Sequence, residues 1–220
     1  AATTLVLTAA QGDDRSVTGA GTTNIEDIGA YAGGAVMSLA GVATTTVNIA
    51  VDTSVTLNSA DNLGAAGAGR VTTIAAGVTL TSAGSVVNGQ YIVGENATLR
   101  VDDENDNGND NTAPADTAIT ANLSNVTAEF ITLVDTAVAG TITFPVLYGD
   151  PVAKYVGDPL AVPPVLPNPN VAVQTVTLTA VQASGQTIVG AGAGAQGEVV
   201  VNDLDGAFTN LSNINAGLMT

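Results

Sequence analysis
Short runs of alternating apolar and polar residues recur along the whole chain. Val47-x-Ile49-x-Val51 and Val55-x-Leu57 alternate with period two, which sends successive side chains to opposite faces of a strand. Comparable runs rich in Val, Ile and Thr cover 45–51, 54–58, 71–74, 78–81, 86–87, 91–93 and 98–102. Further runs cover 128–134, 140–144, 172–179, 187–189 and 198–201. Gly, Asn, Asp and Ser punctuate them, so the pattern predicts many short strands separated by tight turns. One short helix is expected over 30–39, where small and apolar residues lack β-branching except at Val36.

Two of these segments match each other. Thr4-Leu5-Val6-Leu7-Thr8-Ala9-Ala10-Gln11 runs on to Gly19-Ala20-Gly21, and Thr175-Val176-Thr177-Leu178-Thr179-Ala180-Val181-Gln182 runs on to Gly190-Ala191-Gly192. Eight of the eighteen aligned positions are identical. The likeness continues from Asn24-Ile25-Glu26-Asp27-Ile28 to Val200-Val201-Asn202-Asp203-Leu204. The shared unit reads strand, turn, strand, acidic turn, which is the mark of a repeat architecture.

The chain holds 220 residues, with 45% apolar and 3% aromatic residues. Ala, Thr and Gly supply 91 of them. A core of such small side chains suits thin stacked layers, whereas a sandwich draws on more aromatic bulk. The expected fold is therefore all-β, a β-solenoid with Gly, Asn and Asp turns, with a β-sandwich as the alternative. Residues 1–220 read as a single β-rich domain. Seven of the eight prolines lie in 145–170, where missing N–H donors and fixed φ keep the chain out of a sheet interior. That segment is expected to form a Pro-rich extended arm or excursion. The sequence opens at Ala1 and closes at Thr220 in mid-pattern, as a processed chain or a piece of something longer would.

Charge and missing residue types exclude several functions. Four Lys and Arg stand against twenty Asp and Glu, a net charge of −16, so the field repels nucleic acid. The absence of His and Cys excludes zinc sites built on them, a His-based triad and a Cys nucleophile. The uncharged stretch 28–51 is long enough to cross a bilayer, but its Gly and Thr content and lack of basic flanks argue for a buried helix or strand pair. Four Asn-x-Ser/Thr sequons, at Asn96, Asn122, Asn125 and Asn210, match chance expectation for this composition.

One acidic stretch offers hard-cation chemistry. In Asp102-Asp103-Glu104-Asn105-Asp106-Asn107-Gly108-Asn109-Asp110, oxygen ligands at alternate positions with a Gly at the bend match the opening half of an EF-hand loop. Asp102, Asp103, Glu104, Asn105, Asp106, Asn107 and Asp110 are the candidate calcium ligands. The closing bidentate Glu is replaced by Pro114, so further oxygens have to come from backbone, water or Asp116. A solvated polar turn is the competing reading. Asp13-Asp14 and the pair Asp203 and Asp205 are weaker candidates. Arg100 beside Asp102 and Asp103 is the one cluster with the makings of a carbohydrate-cleaving site.

The pattern Leu-Thr-Ala-x-Gln, Gly-Ala-Gly, a β-run, an acidic turn and Leu-Ser-x-Ile stands at 178–192, 199–205 and 211–214. It resembles repeat regions of very large secreted bacterial surface proteins of the surface-layer and adhesin type. The resemblance implies an extracellular location, calcium dependence and assembly rather than catalysis; the glycine–aspartate nonapeptide calcium repeats of such proteins do not occur here. The expected function is a structural, non-catalytic module that binds copies of itself through strand edges and the extended arm. The partners are copies of the chain and a cell-surface glycan, with neither nucleic acid nor a membrane span. A carbohydrate-binding or -cleaving β-helix is the alternative.

Overall fold
The computed structural model describes residues 3–31, 36–102, 119–134, 140–149, 172–192, 196–204 and 210–220. The first half runs β1 (Thr4–Thr8), α1 (Ala9–Gly12), β2 (Val17–Glu26), α2 (Ile28–Tyr31), β3 (Val42–Val51), β4 (Val55–Leu57), β5 (Arg70–Ile74), β6 (Thr79–Ala83), α3 (Gly84–Val87) and β7 (Tyr91–Asp102). The second half runs β8 (Ala121–Asn122), β9 (Val126–Leu133), β10 (Ile142–Thr143), β11 (Thr175–Thr179), α4 (Ala180–Ala183), β12 (Ile188–Val189), β13 (Glu198–Asn202), β14 (Ile214–Asn215) and β15 (Leu218–Met219). The chain is mostly β, as its pattern predicts.

One eleven-stranded sheet dominates, in the order β1-β2-β3-β5-β7-β9-β11-β13-β15, with β4 joined to β6 and β6 to β7. Two small ladders, β8 with β10 and β12 with β14, flank it. Every pairing between the described strands is parallel. Neighbours in the sheet also follow one another along the chain, with Thr4 beside Thr22 and Thr175 beside Glu198. Parallel neighbours cannot be joined by hairpins, so each connection has to travel round and return to the same end.

This register lines up like side chains. Val55, Leu80, Leu99, Ile131, Val176 and Val199 form one row across the sheet, and all six are buried. Leu7, Ile25, Ile49, Thr72, Ile92 and Val126 form a second row. The core is these rows, built from Val, Ile and Leu with little aromatic bulk. Strands β2 and β7 each bend in the middle. In β7 the first half pairs with β5 and the second with β6, and the register to β9 shifts between Gly94 and Thr98. The runs 91–93 and 98–102 are thus one strand, bent where Asn96 takes a positive φ of 51°.

Turns after the strands repeat in detail. Thr8 caps α1 and Thr179 caps α4 with the same capping box: the hydroxyl accepts from the Gln11 or Gln182 N–H, and the Gln carbonyl accepts from the Thr N–H. The residue after each helical turn then reaches across to the next segment. Asp13 accepts from the Ser38 N–H at 2.7 Å, Asn88 from the Asn122 N–H at 2.8 Å, and Ser184 from the Asn210 N–H at 3.2 Å. The following positions, Asp14, Gly89 and Gly185, all have positive φ and donate to the carbonyls of Ser38, Asn122 and Asn210. On the receiving side Asn62, Asn122 and Asn210 each fold a side-chain oxygen onto an N–H two residues on. Leu63 and Leu123, directly after Asn62 and Asn122, are fully buried, as is Leu39 after Ser38; Leu211 after Asn210 is half-buried.

Two local expectations are corrected. Val86 and Val87 are not a strand but the last half of α3. Both are buried, packed inside this turn between β6 and β7. Of the helix expected over 30–39, Ala30 and Tyr31 belong to α2, and Met37–Leu39 is not helical. There the N–H groups of Met37, Ser38 and Leu39 donate to Asp61, Asp13 and Asn62, so neighbouring segments take the donors that a helix needs. Of the arm expected over 145–170, only Pro145–Gly149 falls within the described residues. Leu147 there is fully buried and bridges to Gly190. No described helix is long and apolar enough to cross a membrane.

Truncating the buried Leu123 to Ala should cost about 2–5 kcal/mol in a urea or guanidinium titration. Removing the cap in Thr179→Ala should cost about 0.5–2 kcal/mol.

Candidate functional site
The calcium stretch is placed only at its first residue. Asp102 ends β7, is buried, and sits in register with Ala83 of β6. Asp103, Glu104, Asn105, Asp106, Asn107 and Asp110 lie outside the described residues, as does Asp116. Among the described residues no three acidic side chains gather as a metal group. Arg100 is exposed on β7, in register with Thr81 and Thr132. Asp203 is exposed at a positive φ of 59°, matching Asp27 at 58°, and Asp205 is not described.

Asp13 has a different task from the one its sequence suggests. Besides the Ser38 N–H, its carboxylate accepts a short hydrogen bond from the Tyr31 hydroxyl. That bond, then the Ser38 N–H, hold the carboxyl below the usual Asp range against partial desolvation, with help from Arg15. Tyr31 is pushed up in turn, first by the same hydrogen bond. The group ties β1's turn to α2 and to the segment before β3. Asp61 does likewise, accepting from the N–H groups of Met37 and Asn58 at 2.7 Å each.

Two buried polar side chains close ladders that end inside the molecule. The first part of β3 pairs with β2 but with no described strand on its other side. Arg70 fills that place, donating to the carbonyls of Val42 and Leu63. Burial lowers its pKa, and Gly64 passes so close over the guanidinium that a Cβ there would meet it at 2.6 Å. The first part of β9 is likewise unpaired beyond β7, and Gln174 donates to the carbonyls of Val126 and Ala128 at 3.1 and 3.2 Å.

An open groove runs beside the bend of β7 and β9, lined by Ile74, Val93, Glu95, Thr127, Tyr148 and Ala172 among others, with a volume of about 610 Å³. Tyr148 donates to the Thr127 carbonyl at 3.3 Å, and burial, then Glu129 and Glu95, raise its pKa. Glu129 accepts from the Asn96 N–H at 2.7 Å. An aromatic ring flanked by carboxylates can hold a neutral sugar.

The remaining candidate site is the pair of sheet margins. Strand β1 pairs with β2 alone, and β15 with β13 alone, among the described strands. Leu5 and Val6 on β1 and Met219 on β15 are exposed. Leu5 and Met219 both belong to rows that are buried elsewhere in the sheet: Leu5 stands beside Thr23 and Met219 beside Val199. The sequence reading placed metal binding in the acidic stretch and self-association on strand edges, without naming these residues; the signal was the second copy of Thr4–Thr8, in which Val176 and Leu178 are covered.

No family model matches the chain, no curated protein matches it and no solved structure matches it.

Because Asp13 titrates below its unfolded value of about 3.9, its contribution is present above pH ~4 and fades as pH falls through the folded value. Asp13→Asn should therefore lower the urea midpoint at pH 7 and lose that deficit toward pH 2. An equal deficit at both pH values would show that the carboxylate charge is irrelevant to the corner.

Proposed function
We propose that this chain is a structural, non-catalytic module, a parallel β-solenoid that self-associates through its strand edges in an extracellular assembly such as a surface layer, filament or adhesin. The observation that carries the reading is the parallel sheet whose strand neighbours follow in chain order, with β1 and β15 each paired on one side only among the described strands. A solenoid buries its apolar rows only against the next rung, so a terminal rung without a cap invites another. The rows of buried Val, Ile and Leu, the Asn48 amide donating to Asn24, and the Thr44 hydroxyl donating to Thr23 are contacts between successive rungs. The Pro-rich arm is a second contact element in this reading.

Acidity shapes how such a module behaves. A net charge of −16 opposes the approach of copies, and the repulsion is screened by salt. Calcium enters the reading through the sequence of 102–110, as an ion that neutralises acidic turns. Sedimentation velocity and electron microscopy should show assembly that grows with protein concentration, with salt and with added calcium, and recedes on chelation. A monomer under all these conditions would end the proposal; assembly indifferent to chelation would remove calcium alone.

A second reading, binding of a neutral surface glycan, is favoured by the groove at Tyr148. A glycan array should then give signals that Tyr148→Ala abolishes while the thermal midpoint stays within a few degrees. Unchanged binding in that variant would exclude the groove.

A further inference from the structure
We infer that copies of this chain join head to tail, with β15 of one copy pairing in parallel with β1 of the next and Met219 packing against Leu5. This joint rests on the structural-module reading.

The argument comes from the internal repeat, which displays β1 twice, once bare and once covered. The copies share more than sequence. Thr8 and Thr179 carry the same capping box, Asp27 and Asp203 the same positive φ, and β1 pairs with β2 as β11 pairs with β13. They differ on the other edge. In the second copy that edge is occupied by β9, with Val176 beside Ile131 and Thr175 beside Phe130. In the first copy no described strand lies there. Exposure follows the difference: Leu5 is 42% exposed and its counterpart Val176 is 0%, while Leu7 is half-buried and Leu178 is 1% exposed. The β11 edge is thus a folded example of what the β1 edge accepts: a parallel strand presenting an apolar side chain to Leu5.

The same row names the strand that supplies it. Ile131, Val176, Val199 and Met219 are successive members of one row. The row is fully buried until its last member, Met219, which is 50% exposed. The rung that would cover Met219 is one that pairs beyond β15 and offers an apolar residue in the Val176 position. In this chain the residue equivalent to Val176 is Leu5. Among the described strands none pairs with β15 beyond β13 and none with β1 beyond β2, and the row position is the same at both. A heterologous contact of this kind does not close on itself through a twofold axis, so it extends from copy to copy, into a filament where its rotation does not close a ring.

Neither margin strand carries a charge. Thr4–Thr8 reads Thr-Leu-Val-Leu-Thr, and the other margin reads Leu218-Met219-Thr220. The negative charge that repels copies elsewhere is absent from the strands that would meet.

The chain has no cysteine, so single thiols report contacts without background. Parallel strands lie about 4.8 Å apart, within the Cα separation that a disulfide spans. Leu5→Cys and Met219→Cys chains are prepared separately, checked for native circular dichroism, and oxidised alone and mixed. The mixture should form disulfide dimers at least about tenfold faster than either chain alone, because a stacked joint raises the effective thiol concentration. A chain carrying both substitutions should give a ladder of covalent oligomers. Val181→Cys, exposed on α4 away from both margins, is the control and should remain slow in every pairing. Leu5→Cys dimers forming as fast alone as in the mixture would overturn the joint in favour of a head-to-head contact. Wild-type assembly with no acceleration in the mixture would overturn the joint and leave the module reading standing. A wild-type chain that stays monomeric throughout would overturn both.

Discussion
Parallel stacking of successive strands is the constraint from which the other features follow. Each strand has to match the one before and the one after at about 4.8 Å, on the same register and with side chains that share a row. A bulky residue in such a row meets its neighbours above and below, so rows settle on Val, Ile and Leu. Val55, Leu80, Leu99, Ile131, Val176 and Val199 show the outcome, six apolar side chains of similar size packed along one line. The same constraint governs the turns. Because every connection returns to the same end of the sheet, turns also stack, and Asp13, Asn88 and Ser184 each satisfy an N–H of the next segment. A polar side chain at a turn here serves the neighbouring segment as much as its own.

The ladder does not keep one cross-section throughout, and its irregularities are where buried polar groups collect. Strand β3 pairs with β2 along both its halves but with β5 only from Val47 onward, so carbonyls near Val42 lose a partner strand. Arg70 provides donors there, and Gln174 does so for Val126 and Ala128. Leaving such carbonyls unpaired costs about 1–3 kcal/mol each, which is the reason to bury an arginine in a core of aliphatics. The match is incomplete: the Thr72 hydroxyl and the Gln174 side-chain carbonyl are buried without a partner.

Much of this was readable beforehand, for a physical reason. Period-two alternation reports a half-buried strand directly, so Val47-x-Ile49-x-Val51 and Val55-x-Leu57 fall in β3 and β4. The repeat of Thr4–Gln11 in Thr175–Gln182 was visible as letters and returned as matching capping boxes. Turns were harder. Gly-Ser-Val-Val at 84–87 carries two β-branched residues, yet its place after β6 makes it a helical turn with both valines inside. Propensity is a local signal and lost to position in the stack. Asn122 and Asn210 read as sequons and Leu211–Ile214 as part of the repeat pattern; the recurrence of Asn-Leu-Ser-Asn ahead of Val126 and Ile214 was the overlooked mark of a corner. Of the proposed calcium ligands, Asp102 alone lies within the described residues, at the end of β7.

Opposing terms meet at the margins. An unpaired parallel strand is a template for any strand of matching register, and soluble proteins usually guard such edges with charges, proline or a bulge. Thr4–Thr8 and Leu218–Thr220 carry none of the charged or proline guards. Several of the described acids stand instead on turns and bends, as at Asp14, Asp27, Glu95 and Asp203, all of them exposed. Charge on a turn keeps copies apart at long range without spoiling the short-range fit of one strand on another. Repulsion of that kind falls away over about 8–10 Å at physiological ionic strength, whereas burial of Leu5 or Met219 acts only at contact. In the proposed assembly the two terms therefore separate in distance, and ionic strength would set how often copies come close enough for the margins to meet.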